Sequence, residues 1–200
     1  VLASDAVLDG DNLIGDPTEG ALVALAAKGG LDPISTRQAW PRVAELPFDA
    51  TYKLMATFHR MTDDEGRPVV RAFIKGAPDQ LLTRAGTVYD ADNGRIPVDG
   101  EVRDRYLAEN QRLGEQGLRV LATARRDFDP AGFDETADLL PLMYDLDLRA
   151  LVGIVDPPRP SARASIATAR SAGIRVRMIT GDHAVTAAAT ADQLGIEGRG

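Results

Sequence analysis

Two lysines have the type and spacing that first suggest chemistry. Of the 23 basic residues in this chain only three are lysine, Lys28, Lys53 and Lys75; the rest are arginine. Lysine is a compact point charge on a flexible stem, suited to a phosphate, whereas arginine presents a planar fork. Residues 53–61 and 69–75 read as strands joined by the polar turn 62–68, a β-hairpin by pattern. With the turn centred near Glu65, Lys75 lies opposite Met55 and diagonal to Lys53, and both ammonium groups project from one face. Two like charges there repel unless an anion sits between them. A merely solvated face is the alternative.

Other candidates surround the hairpin. Gly76 and Ala77 leave backbone open to a flat ligand, and Pro78 at a helix start leaves amides facing an anion; a plain strand-to-helix turn has the same letters. Phe48 either stacks on a base or belongs to the core. Arg119 begins a strand and either reaches phosphate or is solvated. Glu19 is the third helical residue after Asp16 and fits a capping box. Thr180 and Asp182 follow an apolar strand, where ligands of open parallel sheets sit. Asp156 ends the other apolar strand. Both aspartates equally suit helix N-caps. Neither His59 nor His183 has a second ligand at metal spacing, so no metal site is expected in the chain.

The elements that must hold these residues follow from punctuation and periodicity. Residues 1–8 read as a short helix and 9–15 as a polar loop. A helix opens at Asp16-Pro17 and stops at Gly29-Gly30. Strands are expected at 43–48, 53–61, 69–75 and 118–124, and helices at 77–84 and 100–114, with a turn at 92–94. Near residue 147 the grammar changes to strand 148–155, helix 160–172, strand 174–180 and helix 183–194. That β-α-β-α order belongs to a parallel, doubly wound sheet, and two strands do not complete one. The expected fold is α+β: an antiparallel sheet flanked by helices over 1–155, then a partial second domain over 156–200.

Composition sets outer limits. With 200 residues, 44% hydrophobic and 26% charged, the chain can bury a core. A net charge of −7 argues against general attraction to nucleic acid or an anionic bilayer. The absence of cysteine excludes disulfides and thiolate chemistry. No stretch approaches a membrane span, so no direct membrane contact is expected.

The order of the motifs says more than any one of them. GDPTEGAL at 15–22, PFDATYKLM at 47–55, KGAPDQLL at 75–82, GLRVLA at 117–122, DPPRP at 156–160 and MITGDH at 178–183 resemble P-type ATPases in sequence and spacing, most of all type II cation pumps, including calcium pumps. The resemblance covers nearly the whole chain. It implies a nucleotide-binding domain, with Glu19 bonding the adenine amino group, Phe48 stacking on the ring and Lys53 lining the pocket. Lys75 would lie at its base with Gly76 and Ala77 beside the ring, and Arg119 would reach the phosphates. Thr180, Gly181 and Asp182 would belong to a partial phosphorylation domain of haloacid-dehalogenase type, near phosphate and magnesium. Asp156 and Pro157 would mark the hinge.

The family's DKTGT and GDGxND motifs are absent from the chain. The resemblance therefore implies a cytoplasmic fragment of an integral membrane protein. It would bind ATP with Mg2+ in the full-length pump and be inactive alone, with phosphorylation, actuator and transmembrane domains as partners. A soluble haloacid-dehalogenase-type phosphatase using Asp156 is the alternative; Pro158 and Pro160 occupy positions where that pattern needs Asp and Thr.

Overall fold

The computed structural model describes residues 1–9, 12–155, 160–180 and 184–196. Asp156, Pro157, Gly181, Asp182 and His183 lie outside the described residues. Two compact units emerge, one of Val1–Glu101 with Leu121–Leu151, the other of Val102–Val120 with Val152–Gly200.

The first unit is built on a seven-stranded sheet in the order β3-β4-β5-β8-β9-β6-β7. Its strands are β3 (Arg42–Asp49), β4 (Leu54–Thr62), β5 (Pro68–Gly76), β6 (Ala85–Asp90), β7 (Gly94–Pro97), β8 (Arg119–Phe128) and β9 (Leu146–Ile154). β8 and β9 lie in this unit over residues 121–128 and 146–151. β4 and β5 form the expected hairpin, with Met55 opposite Lys75 and Thr62 opposite Pro68. Asp63 closes the turn by accepting from the Glu65 and Arg67 amides.

One face of the sheet carries the core. Leu54, Ala56 and Phe58 on β4, Val70, Ala72 and Ile74 on β5, Ala122 and Ala124 on β8, and Leu146 and Leu148 on β9 are all buried. They recur with the period of two of a strand, and on β4 the opposite face is buried too, through Met55, Thr57 and His59. Phe58 meets Phe128 and Phe133 at centroid separations of 6.0 and 5.2 Å.

The sheet is mixed rather than antiparallel. β9 pairs in parallel with β6, Thr87 opposite Asp147, while β3–β4, β4–β5, β5–β8 and β6–β7 are antiparallel. The apolar run expected to found a second sheet joins the first instead. Hydrophobicity marks a run as a strand without saying which neighbour it takes. Residues 174–180 form no strand, because no described segment supplies the ladder bonds a strand needs. The β-α-β-α grammar thus survives only as helices α5 (Pro160–Ser171) and α6 (Ala184–Leu194) after β9.

The start of the chain also differs from expectation. Residues 1–6 are not helical; Val7–Asp9 (β1) pairs antiparallel with Asn12–Ile14 (β2). Two helices follow, α1 (Pro17–Lys28) and α2 (Pro33–Ala39), capped by Asp16 and Asp32 through bonds to amides at their N-termini. α3 (Pro78–Arg84) follows β5 directly.

The second unit contains most of α4 (Gly100–Glu115), α5 and α6. Arg170 donates to the Gly195 carbonyl at 2.6 Å, tying the ends of α5 and α6. Among the described residues, no helix is long and apolar enough to cross a membrane.

Two stability predictions follow from this packing. Phe58→Ala removes a fully buried ring and is expected to cost about 3–5 kcal/mol in urea unfolding, whereas Phe48→Ala, at an exposed position, should change stability by less than about 0.5 kcal/mol. His59 is buried on β4, with Nδ1 2.8 Å from the Trp40 carbonyl and Nε2 3.0 Å from Thr57 Oγ1. Burial holds its imidazole below the ordinary 6.5, against the pull of the Trp40 and Pro41 carbonyls. Below pH 6.5 the unfolded chain therefore binds a proton that the folded chain does not, and stability falls as pH drops through the folded pKa. Unfolding curves across that window should show the loss, and His59→Gln should flatten it.

Candidate functional site

The antiparallel register brings the C-terminal ends of β3 and β5 to the N-terminal end of β4. Phe48, Lys53, Lys75, Gly76 and Ala77 therefore collect at one end of the sheet, with Leu54 opposite both Asp49 and Gly76.

Phe48 is not a core residue. β3 changes register between Leu46 and Asp49, and the ring in that irregularity is 64% exposed. The loop beyond it is tightly braced. Asp49 Oδ1 accepts from the Thr51 amide at 2.6 Å, and the Tyr52 hydroxyl donates to the Pro47 carbonyl at 2.8 Å. The Lys53 amide donates to the Asp49 carbonyl at 2.7 Å. Lys53 itself stands before β4 rather than in it, with φ of +50°, a left-handed conformation that non-glycine residues seldom adopt. The same-face argument therefore holds for Lys75 and not for Lys53. Among the described residues no carboxylate pairs with the Lys53 ammonium, and the side chain is exposed.

Lys75 is buried and ion-paired. Its Nζ donates to Glu19 Oε1 at 2.5 Å, with the two side chains only 10% and 17% exposed. Glu19 Oε2 accepts from the Asp5 and Ala6 amides at 2.8 and 3.1 Å, with the Ser4 hydroxyl at 3.4 Å. The expected capping box is thus half formed. Asp16 caps Thr18 and Glu19, but the Glu19 carboxylate turns away from its own helix to Lys75 and residues 4–6.

Gly76 has a packing reason. A Cβ there would lie 2.5 Å from the Lys53 carbonyl oxygen and 2.7 Å from Leu81 Cδ1. The Ala77 amide, expected to face an anion, donates to that same carbonyl at 2.9 Å.

The remaining candidates are in the second unit. Arg119 is the exposed first residue of β8, and Thr180 is exposed beyond α5. Sequence reasoning missed Ser4, Asp5 and Ala6, which bond Glu19 from 13 to 15 positions away, and Arg37, which bonds Ser4 across 33; such separations leave no local pattern. A hollow of about 240 Å³ in the first unit lies elsewhere, between Phe128, Phe133, Asp134, Asp138 and Leu142. Its aspartates cap local turns through Thr136 and Leu140, so the sheet end, with its exposed ring and free lysine, is the better candidate.

Comparison with known proteins bears on this geometry. Residues 2–161 match the family described as P-type ATPase, cytoplasmic domain N. The cation-transporting ATPase pma1 of Synechocystis is 37% identical over 205 residues, covering 100% of this chain and 21% of the relative. Calcium-transporting ATPase 1 of Lactococcus lactis is 38% identical over 201 residues, covering 100% of this chain and 22% of the relative. Human calcium-transporting ATPase type 2C member 1 is 38% identical over 197 residues, covering 98% and 19%. The chain spans about a fifth of the length of the curated relatives it matches. A family match across most of the chain, joined to this identity along its length, means that the chain belongs to the P-type ATPases, with residues 2–161 corresponding to the cytoplasmic domain N.

Proposed function

We propose that this chain is the ATP-binding part of an ATP-driven cation pump, presenting the nucleotide for phosphoryl transfer to an aspartate outside the chain. One observation carries the reading: a phenyl ring 64% exposed at the sheet end that also holds the unpaired Lys53 ammonium and the buried Glu19–Lys75 pair. An exposed aromatic on a strand adds nothing to the core but offers a stacking surface worth about 1–3 kcal/mol to a base.

Each group has a part. Phe48 stacks on adenine, and Glu19 Oε1 accepts from its exocyclic amine while still holding Lys75. Lys53 offers an unneutralised cation to the phosphates. Arg119 is the further phosphate ligand, and Thr180, Gly181 and Asp182 act near the transferred phosphoryl group. Gly76 and Ala77 fix the turn that ends β5, with Asp156 and Pro157 as the hinge between residues 1–155 and 156–200. Among the described residues no three carboxylates or histidines gather at metal distance, so the groups described here do not themselves fit a magnesium cage. Calcium is the cation in the names of two relatives and is the cation proposed here.

Paired calorimetric titrations test the reading. ATP should bind and GTP bind more weakly, because guanine presents a carbonyl oxygen where adenine presents its amine, and the Glu19 carboxylate repels it. Glu19→Gln can rotate its amide to donate and should narrow the ATP-to-GTP ratio by about tenfold, the worth of one hydrogen bond to a charged group. Its stability should fall by about 1–3 kcal/mol because Lys75 loses its charged partner. Wild-type chain that ignores ATP, or an unchanged ratio in the variant, contradicts the reading. With magnesium and ATP, phosphate release should stay at background. Robust release abolished by Asp156→Asn would support a phosphatase instead.

A further inference from the structure

Glu19 and Arg37 hold the same stretch of backbone from opposite sides. The Ser4–Asp5 peptide unit sends its carbonyl to Arg37 Nη2 at 2.9 Å and its N–H to Glu19 Oε2 at 2.8 Å. Because that unit is planar and trans, C=O and N–H point in opposite directions, and fixing one aims the other. The two peptide units that follow add one contact each: the Ala6 N–H donates to Glu19 Oε2 at 3.1 Å, and the Ala6 carbonyl accepts from the same Nη2 at 2.7 Å. Further along, Thr57 on β4 donates to the Leu2 carbonyl at 3.2 Å and Arg42 on β3 pairs with Asp5 at 2.7 Å.

Packing locks the segment in place. Ser4 and Ala6 are buried. Gly15, at the head of the GDPTEGAL motif, has φ of +116°, and a Cβ there would come within 3.0 Å of Ala6 Cα. The motif's glycine thus lets Ala6 lie against the start of α1, within reach of Glu19.

We propose that residues 1–6 form a strap that sets the plane of the Glu19 carboxylate, and that Arg37 is the positioning residue for base discrimination. The terminal torsion of glutamate is broad and two-fold when nothing restrains it. With Oε2 held by two amides and Oε1 by Lys75, rotation is blocked, and a lone pair on Oε1 is what remains for an incoming amine. An untethered carboxylate can swing from a guanine carbonyl; a tethered one cannot. Arg37 touches neither nucleotide nor Glu19 and acts through the strap. This inference rests on the reading of Glu19 as a base ligand.

The test uses ATP and GTP titrations and amide exchange on the chain, on Arg37→Met and on Arg37→Lys, with Glu19→Gln as reference. Arg37→Met is expected to speed exchange at the Asp5 and Ala6 amides and to narrow the ATP-to-GTP ratio several-fold, in the direction of Glu19→Gln. Arg37→Lys, which can still donate to the two carbonyls, should recover part of the ratio. A folded Arg37→Met with wild-type preference, while Glu19→Gln alters it, overturns the strap and leaves the Glu19 reading standing. An unchanged ratio in Glu19→Gln overturns both. Should Arg37→Met fail to fold, the wild-type chain decides: exchange at Asp5 and Ala6 should slow with saturating ATP more than with saturating GTP, and equal effects overturn the proposal.

Discussion

A buried ion pair between residues 56 positions apart joins α1 to β5, and the candidate site depends on it. Taking Glu19 and Lys75 out of water costs several kcal/mol per ion, a cost offset only by close geometry and further hydrogen bonds. Both conditions are met: the pair closes at 2.5 Å, and the second carboxylate oxygen accepts two backbone amides. A helix start, a strand end and an extended N-terminal segment thus converge on one carboxylate. Glu19 and Lys75 are thereby fixed at the sheet end that also carries the exposed Phe48 ring and Lys53.

The division of labour between arginine and lysine is now intelligible. Arginine serves where a planar fork or a flat cation is wanted. Arg71 meets Asp127 with two bonds of 2.6 and 2.7 Å, Arg126 lies over both Phe128 and Tyr144, and Arg149 lies over Tyr89. Arg95, Arg125 and Arg149 share Asp147, a carboxylate 3% exposed, and so connect β7, β8 and β9. Those contacts, at 3.1–3.4 Å, are longer than strong charge-assisted bonds; their service is to neutralise a buried charge in the sheet. Of the two hairpin-end lysines, one supports Glu19 and the other has no counter-charge among the described residues.

Local grammar made much of this readable. Asp16-Pro17 announced α1, the polar turn near Glu65 gave the hairpin register to the residue, and the strand expected at 118–124 is the first part of β8. What failed depended on distant partners. Residues 1–8 read as helix because nothing nearby shows that their carbonyls go to Arg37, Arg42 and Thr57. Residues 148–155 read as the start of a second sheet because an apolar run does not name its neighbours, which proved to be β8 and β6. Lys53 read as strand because its letters continue the β4 pattern, whereas the braced 47–53 loop puts it at positive φ. For Glu19 the sequence offered two roles, cap or ligand; the structure removes the reciprocal capping bond and turns the carboxylate toward Lys75.

On the function proposed here, ATP binds at one end of the sheet, in the first unit. Backbone chemical-shift mapping during an ATP titration tests it most directly. The largest shifts are expected at Glu19, at Phe48 through Leu54, and at Lys75 through Ala77, with little change around Asp147 or in the hollow beside Phe133. Saturable shifts centred on either of those regions, with the sheet end unmoved, would contradict it.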